Sequence, residues 1–146
     1  MQGALLAELG AIFDMSNYLS PKLSGELRGV SVLGLAHIGD AVFELMIRTW
    51  LCTQGTSKAK NLHDESVSYV SARAQSAAAK RIIPQLSADE FAVYKRGRNA
   101  FANNIPRGSS FEEYHVATGL EALIGHLYLS GQTDRLDELF EIVIEK

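Results

Sequence analysis

Residues 30–47 read VSVLGLAHIGDAVFELMI, an apolar stretch whose only acidic residues are Asp40 and Glu44. The apolar pattern continues to about residue 51, which is too long for a strand, and its periodicity predicts a buried helix over 32–51. An unpaired carboxylate in such a helix is costly, so each acid needs a hydrogen-bond donor, a counter-charge or a metal ion. These two acids are therefore the first candidates for a functional site.

A second apolar stretch, residues 116–129, contains Glu121 as its only acid, within the run ATGLEALIG at 117–125. If the two predicted helices pack side by side, Asp40 and Glu121 can converge, and two or three convergent oxygens are the usual protein share of a Mg²⁺ site. Glu44 lies one turn beyond Asp40 and can reach the same site or steady a bound water. Small residues are expected to let the two backbones approach closely: Gly39, Ala41, Gly119 and Ala122.

Each of these acids also has a purely structural interpretation, which the spacing alone leaves open. Asp40 follows a glycine and can cap a helix N-terminus. Glu44 can pair with Arg48 on the surface of the same helix, and Glu121 can pair with a cation from another segment.

A different metal site is faintly suggested by two histidines and an adjacent acid. His37 together with His63 and Asp64 resembles the pattern of the helical HD-type phosphohydrolases. That class needs a further distal aspartate, for which Asp134 is the one loose candidate. This alternative predicts dependence on His63 and activity on nucleotides.

The chain as a whole is predicted to form a single all-α domain over residues 1–146. Helices are expected at 5–13, 32–51, 57–83 (as one long helix or a pair), 88–98, 111–129 and 133–144, with a loop at 99–110. The run Ser87-Ala88-Asp89-Glu90 has the pattern of a capping box and predicts the start of the fourth of these segments.

Composition narrows the class of protein further. Of 146 residues, 47% are hydrophobic and 21% are charged, which argues against a disordered or fibrous chain. The one cysteine, Cys52, excludes an intrachain disulfide, fits a reducing cytoplasm and is expected to be buried at an apolar helix end. Neither a signal peptide nor a membrane span is expected. The net charge of −3 means that any nucleic-acid binding must come from a local basic patch or from two chains together.

The two acidic segments also resemble a known enzyme family. The run at 35–42 resembles the signature motif of the ribonuclease III family, and the run at 117–125 is similar to that family's second metal-binding motif. More specifically, the runs at 39–44, 69–75, 95–100 and 117–125 resemble the Mini-ribonuclease III subfamily. The resemblance covers nearly the whole chain after Ser31 and is strongest over 31–131. The length of the chain also resembles that subfamily, which lacks a separate domain for binding double-stranded RNA.

This resemblance implies a ribonuclease III-like fold and Mg²⁺-dependent hydrolysis of double-stranded RNA, giving 5′-phosphate and 3′-hydroxyl ends. Asp40 and Glu121 are implied to be catalytic residues and metal ligands, with Glu44 as an auxiliary. The implied substrate is precursor 23S ribosomal RNA, with a ribosomal protein as a possible further partner. Longer family members carry two more acids, at the positions of Ala36 and Thr118 in this chain. The site expected here is therefore leaner.

The densest basic cluster is the candidate RNA-binding site. It consists of Lys95, Arg96, Arg98 and Asn99, with Arg107 nearby. Gly97 within it is expected to let the backbone approach a phosphate, and Asn99 can donate to a phosphate or a 2′-hydroxyl. The alternative is a solvated helix end, where cations are favoured without any ligand.

A two-fold homodimer is expected because a duplex has two strands to cut while each chain carries one acidic cluster. The family resemblance implies the same assembly. Four apolar residues are candidates for the dimer interface or, individually, for the core: Leu33, Leu35, Phe43 and Trp50. A rival hypothesis is a catalytically inert, helical RNA-binding or ribosome-associated dimer that keeps the fold.

Overall fold

The apolar stretch that carries Asp40 and Glu44 forms one uninterrupted helix, α1, Val32–Thr53. This is seen in a computed structural model that describes residues 17–23, 27, 29–54, 59–100 and 110–145. The Ser31 side chain caps α1 by accepting a hydrogen bond from the Gly34 amide at 2.9 Å. The predicted start at residue 32 is confirmed, and the helix ends two residues later than predicted.

Five further helices and one short 3₁₀ turn follow in the described part of the chain, where no strand occurs. They are α2 (Ala59–Val70), α3 (Ala72–Ile82), the 3₁₀ turn Ile83–Gln85, α4 (Ala88–Arg98), α5 (Phe111–Leu129) and α6 (Thr133–Ile144). The fold is all-α, as predicted. The segment 57–83 is a pair of helices rather than one, because the Ser71 side chain caps a new helix by accepting from the Ala74 amide. The helix predicted at 5–13 and most of the 99–110 loop lie outside the described residues.

The starts of α4 and α5 are fixed by reciprocal caps of the same kind. Ser87 and Glu90 form the predicted capping box, in which each side chain accepts from the backbone amide of the other residue. Ser110 and Glu113 form a second capping box at the start of α5. Each box satisfies two amides that the first turn of a helix otherwise leaves without partners.

Helix α5 is the central element, and α1, α3, α4 and α6 all pack against it. Of the residues considered for a dimer interface, Leu35 and Phe43 are only 2% and 1% exposed, so they belong to the core. Trp50 is half-buried and packs edge-on against Tyr69, with 5.4 Å between the ring centres. Leu33 is 43% exposed and is the only one of the four that remains available on the surface.

An ion pair connects α6 to the start of α4 across the molecule. The Arg135 guanidinium donates to both carboxylate oxygens of Glu90, at 2.8 and 3.0 Å, and to the carbonyl oxygen of Gln85 at 2.7 Å. The hydrogen bonds from Arg135 hold the pKa of Glu90 below its usual value. A bidentate pair of this geometry fixes the orientation of the two helices as well as their distance.

The C-terminal end of α1 carries the one cysteine of the chain. Cys52 is exposed, so the prediction of a buried cysteine is wrong. The reason is that α1 continues past Leu51, its last buried residue, into solvent.

No helix in the described ranges is both long enough and apolar enough to cross a membrane.

Candidate active site

The active-site candidates are brought together where α1 and α5 cross at two glycines. A Cβ atom added to Gly39 would overlap the carbonyl oxygen of Glu121, and one added to Gly125 would overlap the carbonyl oxygen of Leu35. The two backbones are therefore in direct contact, which no larger residue at either position permits. Because Asp40 follows Gly39 and Glu121 lies one turn before Gly125, this contact sets the two acids beside each other.

The predicted close approach of the two helices is confirmed, but only Gly39 of the expected small residues produces it. Gly125, which the sequence did not single out, is its counterpart in α5; the signal was a glycine four residues after the acid in a buried helix. Gly119 and Ala122 face α4 instead, where a Cβ on Gly97 would lie 2.6 Å from the Ala122 Cβ and 2.9 Å from the Gly119 Cα. Ala41 is exposed.

Gly97 corrects another expectation. It is buried between α4 and α5, so it serves helix packing and does not let the backbone approach a phosphate. The same contact places the basic turn of α4 directly against α5, the helix that carries Glu121. The glycines at 39, 97, 119 and 125 thus hold α1, α5 and α4 close together.

The two carboxylates affect each other electrostatically. Burial, together with the charge of Asp40, raises the pKa of Glu121 to about 8. The pKa of Asp40 is also raised, by partial burial and by Glu44, while His37 acts in the opposite direction. Asp40 is exposed, whereas Glu121 is more deeply buried, so Asp40 loses its proton at a lower pH than Glu121 does. The negative charge of Asp40 then makes it harder for Glu121 to ionise.

The donor set fits a divalent cation with a preference for oxygen ligands. No hydrogen bond or salt bridge from any described residue reaches the carboxylate of Asp40 or of Glu121, and His37 lowers the pKa of Asp40 alone. A cation bound by both carboxylates would stabilise the charged form of each. Mg²⁺ is commonly bound by one or two carboxylates, with waters and substrate phosphate completing its shell. No group of three or more His, Cys, Asp and Glu side chains suited to a metal occurs in the described ranges. The candidate protein ligands are therefore these two carboxylates.

Glu44 forms the ion pair with Arg48 that its structural interpretation predicted. One of its carboxylate oxygens accepts from the Arg48 guanidinium at 2.6 Å, within the same helix face. Glu44 is nevertheless close enough to Asp40 to raise the pKa of that residue. It is thus held one turn away from the acidic pair by an ion pair, and its auxiliary role stays a prediction.

The two positions where longer family members carry further acids are occupied by core residues. Ala36 is 6% exposed and Thr118 is 8% exposed. The Thr118 hydroxyl donates to the carbonyl oxygen of Tyr114 at 2.9 Å, within its own helix. Both side chains pack in the core, and neither supplies a carboxylate to the site.

The basic cluster occupies the last turn of α4. Lys95, Arg96 and Arg98 are exposed, and so is Asn99, which follows the helix as its C-cap. Two of the cations lie over aromatic rings one turn earlier: the Lys95 ammonium is 5.0 Å from the centre of Phe91, and the Arg98 guanidinium is 5.9 Å from that of Tyr94. Arg107 lies outside the described residues.

The residues considered for an HD-type site do not form a metal-binding group among the described residues. His63 and Asp64 are exposed on α2, and His63 lines a shallow pocket with Cys52 and Arg48. His37 lies on α1, close enough to Asp40 to affect the pKa of that acid.

The raised pKa of Glu121 predicts how the stability of the metal-free protein depends on pH. The folded protein keeps this proton up to about pH 8, whereas an unfolded chain loses it near 4.5. Between these values the folded state binds more protons, so the stabilisation that is complete at low pH is lost as pH rises towards 8. Glu121→Gln cannot ionise, and its advantage over the wild type should grow from near zero at about pH 4 to roughly 4 kcal/mol at about pH 8.

Thermal melting in the presence of EDTA measures this difference. Glu141→Gln, an exposed position on α6, is the matched control and should follow the wild type at every pH. A gap between Glu121→Gln and the wild type that does not change with pH would contradict the buried, uncompensated carboxylate.

Comparison with known proteins gives the family. Residues 33–132 match the model of the Ribonuclease III domain. The Mini-ribonuclease 3 of Thermoanaerobacter sp. is 44% identical over 116 residues, which cover 80% of this chain and 82% of that protein. The Mini-ribonuclease 3 of Clostridium tetani is 39% identical over 120 residues, covering 82% and 80%.

A solved structure has the same fold. The X-ray crystal structure of a protein from Fusobacterium nucleatum aligns with a TM-score of 0.76 and 34% sequence identity, over 84% of this chain and 98% of that one. Both comparisons cover most of each partner, so the likeness extends over the whole domain and not over one motif. The chain therefore belongs to the Mini-ribonuclease 3 proteins of the ribonuclease III family, and it is an endoribonuclease.

Proposed function

We propose that this chain cleaves double-stranded RNA with the help of Mg²⁺, and that Asp40 and Glu121 bind the metal ion. The observation that carries the proposal is the juxtaposition of these two carboxylates at a backbone-to-backbone helix crossing, where neither accepts a hydrogen bond or forms a salt bridge with a described residue. Such a pair is costly to keep doubly ionised unless a cation binds there. The family relation supports an active enzyme over an inert RNA-binding dimer.

Each residue of the pair has a defined task in this proposal. When bound, Mg²⁺ lowers the pKa of a water and neutralises charge that develops on the scissile phosphate. Asp40, which ionises first, supplies the initial negative charge, and Glu121 must release its proton for both carboxylates to bind the cation. Glu44 is proposed to accept a hydrogen bond from a water at the edge of the site, with Arg48 restraining its side chain. The glycine crossing keeps the two ligands at a fixed separation.

The basic turn of α4 is proposed to bind the RNA backbone. Lys95, Arg96 and Arg98 present three exposed cations, and Asn99 offers an amide that can donate to a 2′-hydroxyl. The aromatic rings below Lys95 and Arg98 restrict these side chains before RNA arrives, which reduces the entropy lost on binding. Arg107 is proposed to extend this surface.

Replacement of one of these cations should weaken RNA binding in a salt-dependent way. Arg96→Ala is expected to lower the affinity for duplex RNA and to reduce the slope of log K against log salt by about one, because one phosphate contact is lost. Lys80→Ala removes an exposed cation from α3 and is the matched control, with an expected unchanged slope. Equal slopes for Arg96→Ala and the wild type in a filter-binding titration would exclude Arg96 from the interface.

A homodimer is also proposed, and an apolar groove supports it. The groove, of about 500 Å³, lies between α1 and α6, and its lining includes Ile38, Val42, Leu45 and Met46. Leu45 is 57% exposed in the single chain. A second copy of the chain covering this face would bury it and bring a second acidic pair to the other strand of a duplex. Sedimentation velocity that gives only the monomer mass would contradict this assembly.

The natural substrate that we propose is precursor 23S ribosomal RNA, processed in the cytoplasm, with a ribosomal protein as a possible partner. The support is the relation to the Mini-ribonuclease 3 proteins. Sequencing the RNA ends that accumulate in cells lacking the protein tests this, and correctly matured 23S ends would contradict it.

The decisive test of the activity is direct. Purified protein is incubated with a long RNA duplex or with either single strand, in Mg²⁺ or in EDTA. We expect that only the duplex is cleaved, that cleavage occurs in Mg²⁺ and not in EDTA, and that the products carry 5′-phosphates. Cleavage that persists in EDTA, or that favours the single strands, would refute the proposed function.

A further inference from the structure

A notch of about 580 Å³ lies between the C-terminal end of α4 and the first turns of α5. This volume is within the range of about 300–1,000 Å³ that small-molecule sites occupy. Its described lining combines an aromatic ring with polar groups of both charges, and includes Phe111, Asn99, Glu112, Arg98 and His115. We propose that the notch binds a single unpaired nucleobase of the RNA, stacked on Phe111. This inference rests on the proposed function and specifies which RNA that function prefers.

Phe111 is a fixed and largely uncovered aromatic platform. It is the first residue of α5, directly after the Ser110 cap, and its side chain is 68% exposed. The hydrogen bonds between Ser110 and Glu113, both 3.1 Å, fix the backbone on which the ring is carried. A ring held in this way can receive a base without first losing backbone freedom.

His115 contacts the Phe111 ring and connects it to the basic turn of α4. Its ring centre is 4.2 Å from that of Phe111, and its Nδ1 atom is 3.0 Å from the carbonyl oxygen of Arg98. Because a carbonyl can only accept, Nδ1 carries the proton and donates to Arg98. The notch is therefore fixed relative to the proposed phosphate-binding side chains of α4.

The polar lining fits the edge of a nucleobase better than it fits a phosphate. The Asn99 side-chain oxygen accepts from the Arg98 guanidinium at 3.4 Å, which leaves the Asn99 NH₂ group as a donor. Glu112 supplies an acceptor for an amino or imino N–H of a base, and it would repel a phosphate. In an intact duplex the bases are stacked and their Watson–Crick edges are paired, so only a bulged or terminal base can enter and stack on an aromatic ring.

The test uses two RNA duplexes that differ by one unpaired nucleotide, with 2-aminopurine as the unpaired base. Binding is measured in EDTA, so that the RNA is not cut, by the fluorescence of the 2-aminopurine and by competition with the perfect duplex. We expect the bulged duplex to bind about tenfold more tightly than the perfect one, since stacking on an aromatic side chain has an effect of this order for each base. The fluorescence should be quenched on binding.

Two variants separate stacking from apolar packing. Phe111→Leu keeps an apolar side chain but has no ring face, and it should lose most of the preference and of the quenching. Phe111→Tyr keeps the ring and should retain both. Val67→Ala changes an exposed apolar residue of α2 and should behave like the wild type. The melting temperature of each variant is measured first.

The outcomes distinguish this inference from the function on which it rests. Tight binding of the perfect duplex without any preference for the bulged one overturns the notch and leaves the proposed function standing. A preference that survives in Phe111→Leu, or is lost in Phe111→Tyr, also overturns it. Failure to bind either duplex, together with no cleavage of the perfect duplex in Mg²⁺, overturns the proposed function itself.

Discussion

Asp40→Asn is expected to reduce cleavage of duplex RNA by about 10³-fold, because it removes the ligand that ionises first at the proposed metal site. The substitution preserves the size of the side chain and changes only its charge. Loss of a metal ion that stabilises the transition state by roughly 4 kcal/mol corresponds to a rate factor of that order. RNA binding should be retained or slightly strengthened, since one negative charge near the phosphates is removed. Single-turnover cleavage and filter binding, measured in parallel, separate the two effects.

Asp64→Asn provides the matched control for this prediction. Asp64 is an exposed acid on α2, and the HD-type hypothesis makes it a ligand together with His63. We expect Asp64→Asn and His63→Ala to cleave at the wild-type rate. If these two variants lost activity while Asp40→Asn kept it, the acidic pair at the α1–α5 crossing would not be the active site.

Gly39→Ala is expected to have the largest effect on stability of any single methyl addition in α1. The new Cβ would overlap the carbonyl oxygen of Glu121, a backbone atom of a buried helix that cannot move aside by changing a rotamer. The helices must separate, which we expect to cost about 3 kcal/mol or more. The same movement would draw Asp40 away from Glu121, so any folded fraction should bind Mg²⁺ more weakly. Urea unfolding followed by circular dichroism measures the change in free energy.

Gly34→Ala adds the same methyl group to the same helix and is the control. There the new Cβ would lie 3.1 Å from the Ser31 side-chain oxygen and 3.2 Å from a Val30 methyl carbon. Both neighbours are side chains beside the exposed helix start, and alanine favours a helix over glycine by about 1 kcal/mol, so the net change should stay within about 1 kcal/mol. Equal stability of the two variants would mean that the close crossing at Gly39 does not exist in solution.

Much of the site was predictable from the chain because its signals are local. Asp40 and Glu121 are conspicuous as isolated acids in apolar helical stretches, and the runs around them carry the family resemblance. The helix over 88–98 was predicted with both ends correct, because a capping box determines its start from residues within four positions of one another. The basic cluster was found in the same way, as neighbours along the sequence.

The errors at Gly119 and Gly97 concern contacts between segments that are distant in sequence. Gly119 was expected to face α1 and instead faces α4, whereas Gly125 makes the contact with α1. Both glycines lie in one helix, and only the position of the neighbouring helices determines which partner each one meets. Gly97 was assigned to RNA binding for the same reason, since its burial against α5 has no local signal.

The sequence by itself determined the helical class, most of the helix boundaries, the family and the residue types of the acidic pair, because periodicity, capping and motif spacing are properties of neighbouring residues. Only the tertiary structure decided that Asp40 and Glu121 lie together without a hydrogen bond or salt bridge from a described residue, and that burial raises the pKa of Glu121 to about 8. It also decided that Glu90 is paired with Arg135, 45 residues away. Burial and charge compensation depend on which helices become neighbours in space, and that follows from the packing of the whole domain, which no local pattern encodes.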